Sequence, residues 1–136
     1  MGMGCTRVLD RVAAALGSLE AAPVEFEAAQ DVPWGGVLWA LPALLANGLL
    51  RHSPKYFHLP KGFYSVVNIF LLLAFMALAR IKSAEGLRYC PPGEWGKLLG
   101  LDRLPEVRTL RQKLGLDASA KGAGSEGQAA VTAQTA

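Results

Sequence analysis

Cysteine is nearly absent from this chain: Cys5 and Cys90 are its two, far apart and in no CxxC spacing. Such a pair makes neither a disulfide framework nor a zinc site, and predicts plain reduced thiols. Histidine is equally scarce. His52 and His58 have no cysteine or carboxylate between them, which argues for ordinary loop histidines over metal ligands. No metal site and no cofactor is expected. A secretion signal is also missing, because Arg7, Asp10 and Arg11 interrupt any apolar run before it reaches the required length. A cytoplasmic location follows as the expectation. The formal net charge of +3 is too small to argue for nucleic acid by itself. No internal repeat is found.

The distribution of charge is more informative than its sum. Residues 1–31 carry two basic and five acidic side chains, whereas residues 88–114 carry six basic and three acidic. An acidic head thus precedes a basic middle, an asymmetry suited to contact with a polyanion, either nucleic acid or an anionic membrane surface.

At 136 residues the chain is long enough for one domain with a real core. Residues 1–33 read as an amphipathic helix followed by an acidic connector. Val8, Leu9, Val12, Leu16 and Leu19 share one helical face, with Thr6 as its N-cap and Gly17 weakening its end. Residues 34–116 form the main helical region. Two apolar blocks, Trp34 to Leu50 and Phe63 to Ala79, are apolar nearly all round and predict two buried core helices. A loop, Arg51 to Gly62, joins them. Trp34, Trp39 and Trp95 are expected as core anchors. Asn47 and Asn68 each interrupt an apolar block, as interhelical partners, cap-type residues or tolerated surface positions. Residues 117–136 are low in complexity and predict a disordered tail. The fold class is all-α.

The sharpest feature lies at 93–115. A short helix ends near Gly100, Asp102 to Pro105 connect, and a second helix from Glu106 to Leu114 is closed by Gly115. A DNA-reading helix needs donors on one face and apolar anchors on the other. Arg108, Thr109, Arg111 and Gln112 can face outward while Val107, Leu110 and Leu114 face inward. These four are the candidate base contacts, and Lys97, Arg103 and Lys113 the candidate phosphate contacts. Taken on composition alone, a solvated basic face on a helical hairpin accounts for the segment better.

A resemblance shifts that balance. The string GEWGKLLGLDRLPEVRTLRQKLGL resembles the segment preceding the catalytic domain in a family of bacterial insertion-sequence transposases. The pattern is carried by Gly96, Leu99, Gly100, Leu101, Asp102, Arg103, Pro105, Val107, Thr109, Leu110 and Arg111. The upstream runs from Asp31 to Tyr89 are similar to the helical region of the same family. The resemblance implies DNA as the partner, transposon ends among the targets, and pairing with a second copy or with a full-length transposase. It implies too that the metal-binding Asp-Asp-Glu core of such enzymes would follow residue 116, where this chain has its low-complexity tail. The expectation is therefore a truncated, DNA-binding region with no catalytic residues of its own.

A second reading competes with this one. The segments 34–50 and 63–82 could form a two-helix hairpin in an inner membrane, flanked by Trp34, Tyr64, Arg80 and Lys82. Pro42, Asn47 and three glycines in the first block weigh against it, and the resemblance explains both blocks as soluble core.

Overall fold

A computed structural model describes residues 7–59 and 62–115, all of whose regular structure is helical. The all-α expectation is met. Six α-helices follow one another: α1 (Val8–Ala15), α2 (Leu41–Ala46), α3 (Ser53–Tyr56), α4 (Val66–Leu78), α5 (Pro92–Leu98) and α6 over 107–115. Two 3-10 helices, Gly35–Ala40 and Ala84–Tyr89, precede α2 and α5. The tail expected from 117 onward, Cys5 and the expected Thr6 cap lie outside the described residues.

The second apolar block organises the core. Ser65 caps α4 by accepting the Asn68 amide at 3.3 Å, so the helix starts two residues after the aromatic pair Phe63 and Tyr64. Asn68, Ile69, Leu72, Phe75 and Met76 are its buried positions, recurring at helical spacing. Ile69, Leu72, Phe75 and Met76 meet Leu87, Trp95, Leu98, Leu99, Leu101, Leu104 and Leu110 in one apolar cluster. Each fully buried side chain of this kind contributes about 1.5–3 kcal/mol relative to exposure. Although apolar all round, α4 leaves Val67 and Leu78 in solvent. Asn68 is the backbone half of the cap and is buried, yet its Nδ2 finds no partner among the described residues.

The first apolar block departs from the expected core helix. It is a 3-10 helix running into the short α2, and neither contains a buried residue. Pro42 sits in the first turn of α2, where its missing N–H costs least, so the α-helix can start only there. Asn47 then closes it, its Nδ2 donating to the Ala43 carbonyl at 2.9 Å, and Gly48 follows at φ +89°. Of the three tryptophans, Trp95 is the core anchor and Trp34 packs on it with ring centroids 5.9 Å apart. Trp39 is 89% exposed, so the anchor reading fails for it. Among the described residues no helix is long and apolar enough to cross a membrane. At a rise of about 1.5 Å per residue, even α4 falls well short of a hydrocarbon core of about 30 Å. The hairpin alternative is therefore not favoured.

The head packs the other way round from its apolar pattern. Leu9 is 85% exposed, and Val8, Val12 and Leu16 are exposed with it. The face turned inward carries Ala14 and Arg11 instead. Arg11 lies 3.9 Å over the Phe63 ring and pairs with Asp102 at 2.8 Å. The buried Asp102 carboxylate thus holds α1 through Arg11, and leaving that carboxylate unpaired would be costly. The acidic connector is laid down by backbone bonds, Ala22 N–H to the Phe63 carbonyl at 2.7 Å and Glu25 N–H to the Gly100 carbonyl at 3.0 Å.

Helix ends follow one device. At α5, Gly100 adopts φ +67°, its N–H bonds the Lys97 carbonyl and the Leu101 N–H bonds the Gly96 carbonyl. This is the two-bond left-handed termination that glycine favours. The same two bonds close α4, Arg80 N–H to Ala77 and Ile81 N–H to Met76, but the left-handed residue is Arg80 at φ +60°. A residue with a Cβ pays about 1–2 kcal/mol there, part of which glycine returns as unfolded-state entropy. Arg80→Gly is expected to raise stability by about 0.5–1 kcal/mol, read as a higher urea midpoint at unchanged slope. A lower midpoint would mean that the Arg80 side chain contributes more than its backbone costs.

Candidate nucleic-acid interface

The basic segment is held in place by α5 and by the connector after it. Pro91 and Pro92 open α5, a position suited to proline, and Leu104 N–H bonds back to the Pro92 carbonyl at 3.1 Å. The connector spans 99–106, roughly twice the three or four residues that link the helices of the DNA-binding helix-turn-helix motif. Its extra length is occupied by the glycine-closed end of α5, by Asp102 and by buried Leu101, Leu104 and Pro105.

Gly96 makes this arrangement possible. A Cβ at that position would lie 2.8 Å from the Arg103 Cα and 2.9 Å from its nitrogen. The connector backbone therefore runs directly against α5. Asp102, with its side chain 3% exposed, accepts from Arg11 and from the Arg103 amide at 2.9 Å. Tyr64 accepts from Arg11 at 3.4 Å and donates to the Arg103 carbonyl at 3.3 Å. Burial pushes the Tyr64 phenol above its ordinary pKa, only partly offset by Arg11, so it stays a donor. Two backbone contacts and a side-chain network thus hold Arg103.

On α6, Leu110 is fully buried and Val107 half-buried, while Arg108, Arg111 and Gln112 are exposed and Thr109 is half-buried. Arg103 and Arg108 join Arg88, which sequence reasoning did not single out, around a cleft of about 410 Å³. The cleft is also lined by Leu87, Cys90, Pro92, Leu104, Pro105, Glu106 and Val107. Among the described residues the guanidinium groups of Arg103 and Arg108 make no ion pair. Burial raises the Cys90 thiol, which keeps it protonated and poorly nucleophilic. Arg88 was missed because it falls in the 3-10 helix rather than in the two-helix segment; only the fold brings it alongside α6.

Arg111 is not free. It forms an ion pair with Glu85, whose other oxygen is 3.1 Å from Arg88 Nε. The two remaining candidates lie elsewhere. Lys97 lines a different cleft with Arg7, Glu25, Glu27 and Asp102. Lys113 is half-buried beside an apolar pocket of about 150 Å³ formed with Phe57, Leu59, Ile69, Phe70 and Leu73, and burial lowers its pKa. His52 and His58 are exposed. Among the described residues no three of His, Cys, Asp and Glu converge as a metal site would require.

No curated protein and no solved structure matches this chain. A family model described as "Transposase protein" does, over residues 2–125, which takes in the whole of the arginine cleft and the core beneath it. With nearly its full length matched, the chain belongs to that family of transposase proteins.

Proposed function

We propose that this chain is the DNA-binding region of a transposase protein and that α6 with the arginine cleft is its binding surface. The observation that carries the reading is the convergence of Arg88, Arg103 and Arg108 on one cleft beside the exposed donors of α6. Guanidinium groups present fixed forks of donors matched to phosphate, and a concave site seats a phosphate group better than a flat one. In this reading Arg103 and Arg88 hold the backbone. Arg108, Gln112 and half-buried Thr109 face the base edges, where Arg suits guanine and Gln suits adenine, while Arg111, paired to Glu85, lies toward Arg88 and the phosphates. A transposase family membership supports DNA as the partner in general, and a cytoplasmic place of action follows from that reading.

The test is binding of the full chain to a labelled duplex, by anisotropy, across salt. Affinity is expected to fall steeply between about 50 and 200 mM salt, since each neutralised phosphate releases a counterion. Replacing Arg108 and Arg111 together by Glu should weaken binding about tenfold or more at low salt. Unchanged binding by that variant would remove α6 from the interface. Lys97→Gln and Lys113→Gln measure how far the DNA track extends. Because both lysines sit in other clefts, the expected loss is smaller than for the arginines.

A further inference from the structure

We infer that Arg88 and Arg111 form a second phosphodiester seat, and that the Glu85 carboxylate is its resident anion, displaced when DNA binds. The inference rests on the DNA-binding reading and adds a site and a control to it. Glu85 stands in the first turn of the 3-10 helix Ala84–Tyr89, with one oxygen on Arg88 and the other paired to Arg111. The two guanidinium groups come from elements far apart in sequence and meet only on this carboxylate. A carboxylate bridging two guanidinium forks occupies the place, and supplies the charge, that a phosphate would. Arg88 also lines the arginine cleft, so the two seats are contiguous, with Arg108 one helical turn before Arg111.

The bridge is built to exchange. Both arginines are largely exposed and Glu85 is more than a third exposed, although its Arg111-facing Oε1 is buried, so a competing phosphate can reach the two guanidinium groups from solvent. DNA that takes both guanidinium groups must first expel Glu85, which sets the affinity below what the arginines alone would give. The acid also disfavours anions too weak to displace it.

Glu85→Gln keeps the side-chain shape and removes the charge. In the duplex titration it is expected to bind about tenfold tighter at low salt, with a salt slope steeper by about one. Asp31→Asn, an exposed acid changed away from both clefts, adds the same net charge and should gain little. Adding Arg88→Gln to Glu85→Gln should cancel most of the gain. Glu85→Ala, read alongside, should show the same gain, and circular dichroism should report equal helix content for all forms. The inference is overturned if Glu85→Gln binds like the unaltered chain or like Asp31→Asn, or if the gain survives loss of Arg88. Should that happen while the Arg108 and Arg111 reversal still weakens binding, DNA binding stands and only the seat falls. Should neither the unaltered chain nor Glu85→Gln bind duplex, both fall.

Discussion

Asp102→Ala is expected to lower the unfolding free energy by about 3 kcal/mol, the range found when one partner of a buried ion pair is removed. The Asp102 side chain is 3% exposed and holds two donors, the Arg11 guanidinium and the Arg103 amide. Its loss removes the buried anion from the Arg11 guanidinium beside Phe63 and Tyr64 and takes an acceptor from the Arg103 amide. For a domain of this size the melting temperature should drop by more than about 10 °C. Arg11→Met alone should be nearly as damaging, because it takes the charged donor from a buried carboxylate. The double variant Arg11→Met with Asp102→Ala should recover part of the loss, since both halves of the buried pair then leave together. Additive losses in that cycle would show that the two side chains act separately and that the pair does not fix α1.

The second large effect is at Gly96. Alanine is the better helix former by about 1 kcal/mol, so an open helical site would be stabilised by the change. At Gly96 the added Cβ would meet the Arg103 Cα at 2.8 Å, the Arg103 nitrogen at 2.9 Å and the Leu101 carbonyl at 3.0 Å. All three are backbone atoms and none can rotate away. Gly96→Ala is therefore expected to destabilise by about 2–3 kcal/mol net, as overpacking does, and to push Arg103 off the cleft. Duplex affinity should fall with stability. Gly36→Ala is the matched control, with nothing within 4 Å of its Cβ and no left-handed φ, and should change stability by less than about 0.5 kcal/mol. Equal urea midpoints for the two variants would mean that the connector is not held against α5.

These two residues belong to the string by which the chain resembles insertion-sequence transposases, and their roles say what that string specifies. Gly96 permits close approach, Gly100 ends α5, Asp102 anchors α1, and Leu101, Pro105 and Leu110 fill the core. Arg103, Thr109 and Arg111 are the positions left over for a ligand. Most of the pattern builds the platform and little of it touches DNA in the proposed reading.

Part of this was legible in the residues. The end of α5 at Gly100 and the outward face of α6, with Arg108, Arg111 and Gln112 exposed over buried Leu110, follow from helical period and from glycine's access to left-handed φ. The breaks at Pro42, Asn47 and Gly48 were also visible, yet the apolar character of the first block outweighed them and predicted a core helix. Period and composition report which side chains avoid water, not whether a partner exists to cover them. The core closes on α4, and of the first block Val37 and Leu41 pack only partly against it while Trp39 stays outside.

By itself, then, the sequence determined what local chemistry determines: an all-helical fold, a helix within Phe63 to Ala79, the end of α5 at Gly100, and a basic outer face on α6. Tertiary structure alone decided what depends on residues distant along the chain. It turned the apolar stripe of α1 outward and set Arg11 on the buried Asp102 carboxylate. It brought Arg88 to Arg103 and Arg108, and set Glu85 between Arg88 and Arg111. Pairings of that kind carry no periodic signal. They arise only when the whole core has closed and each buried charge has been given its partner.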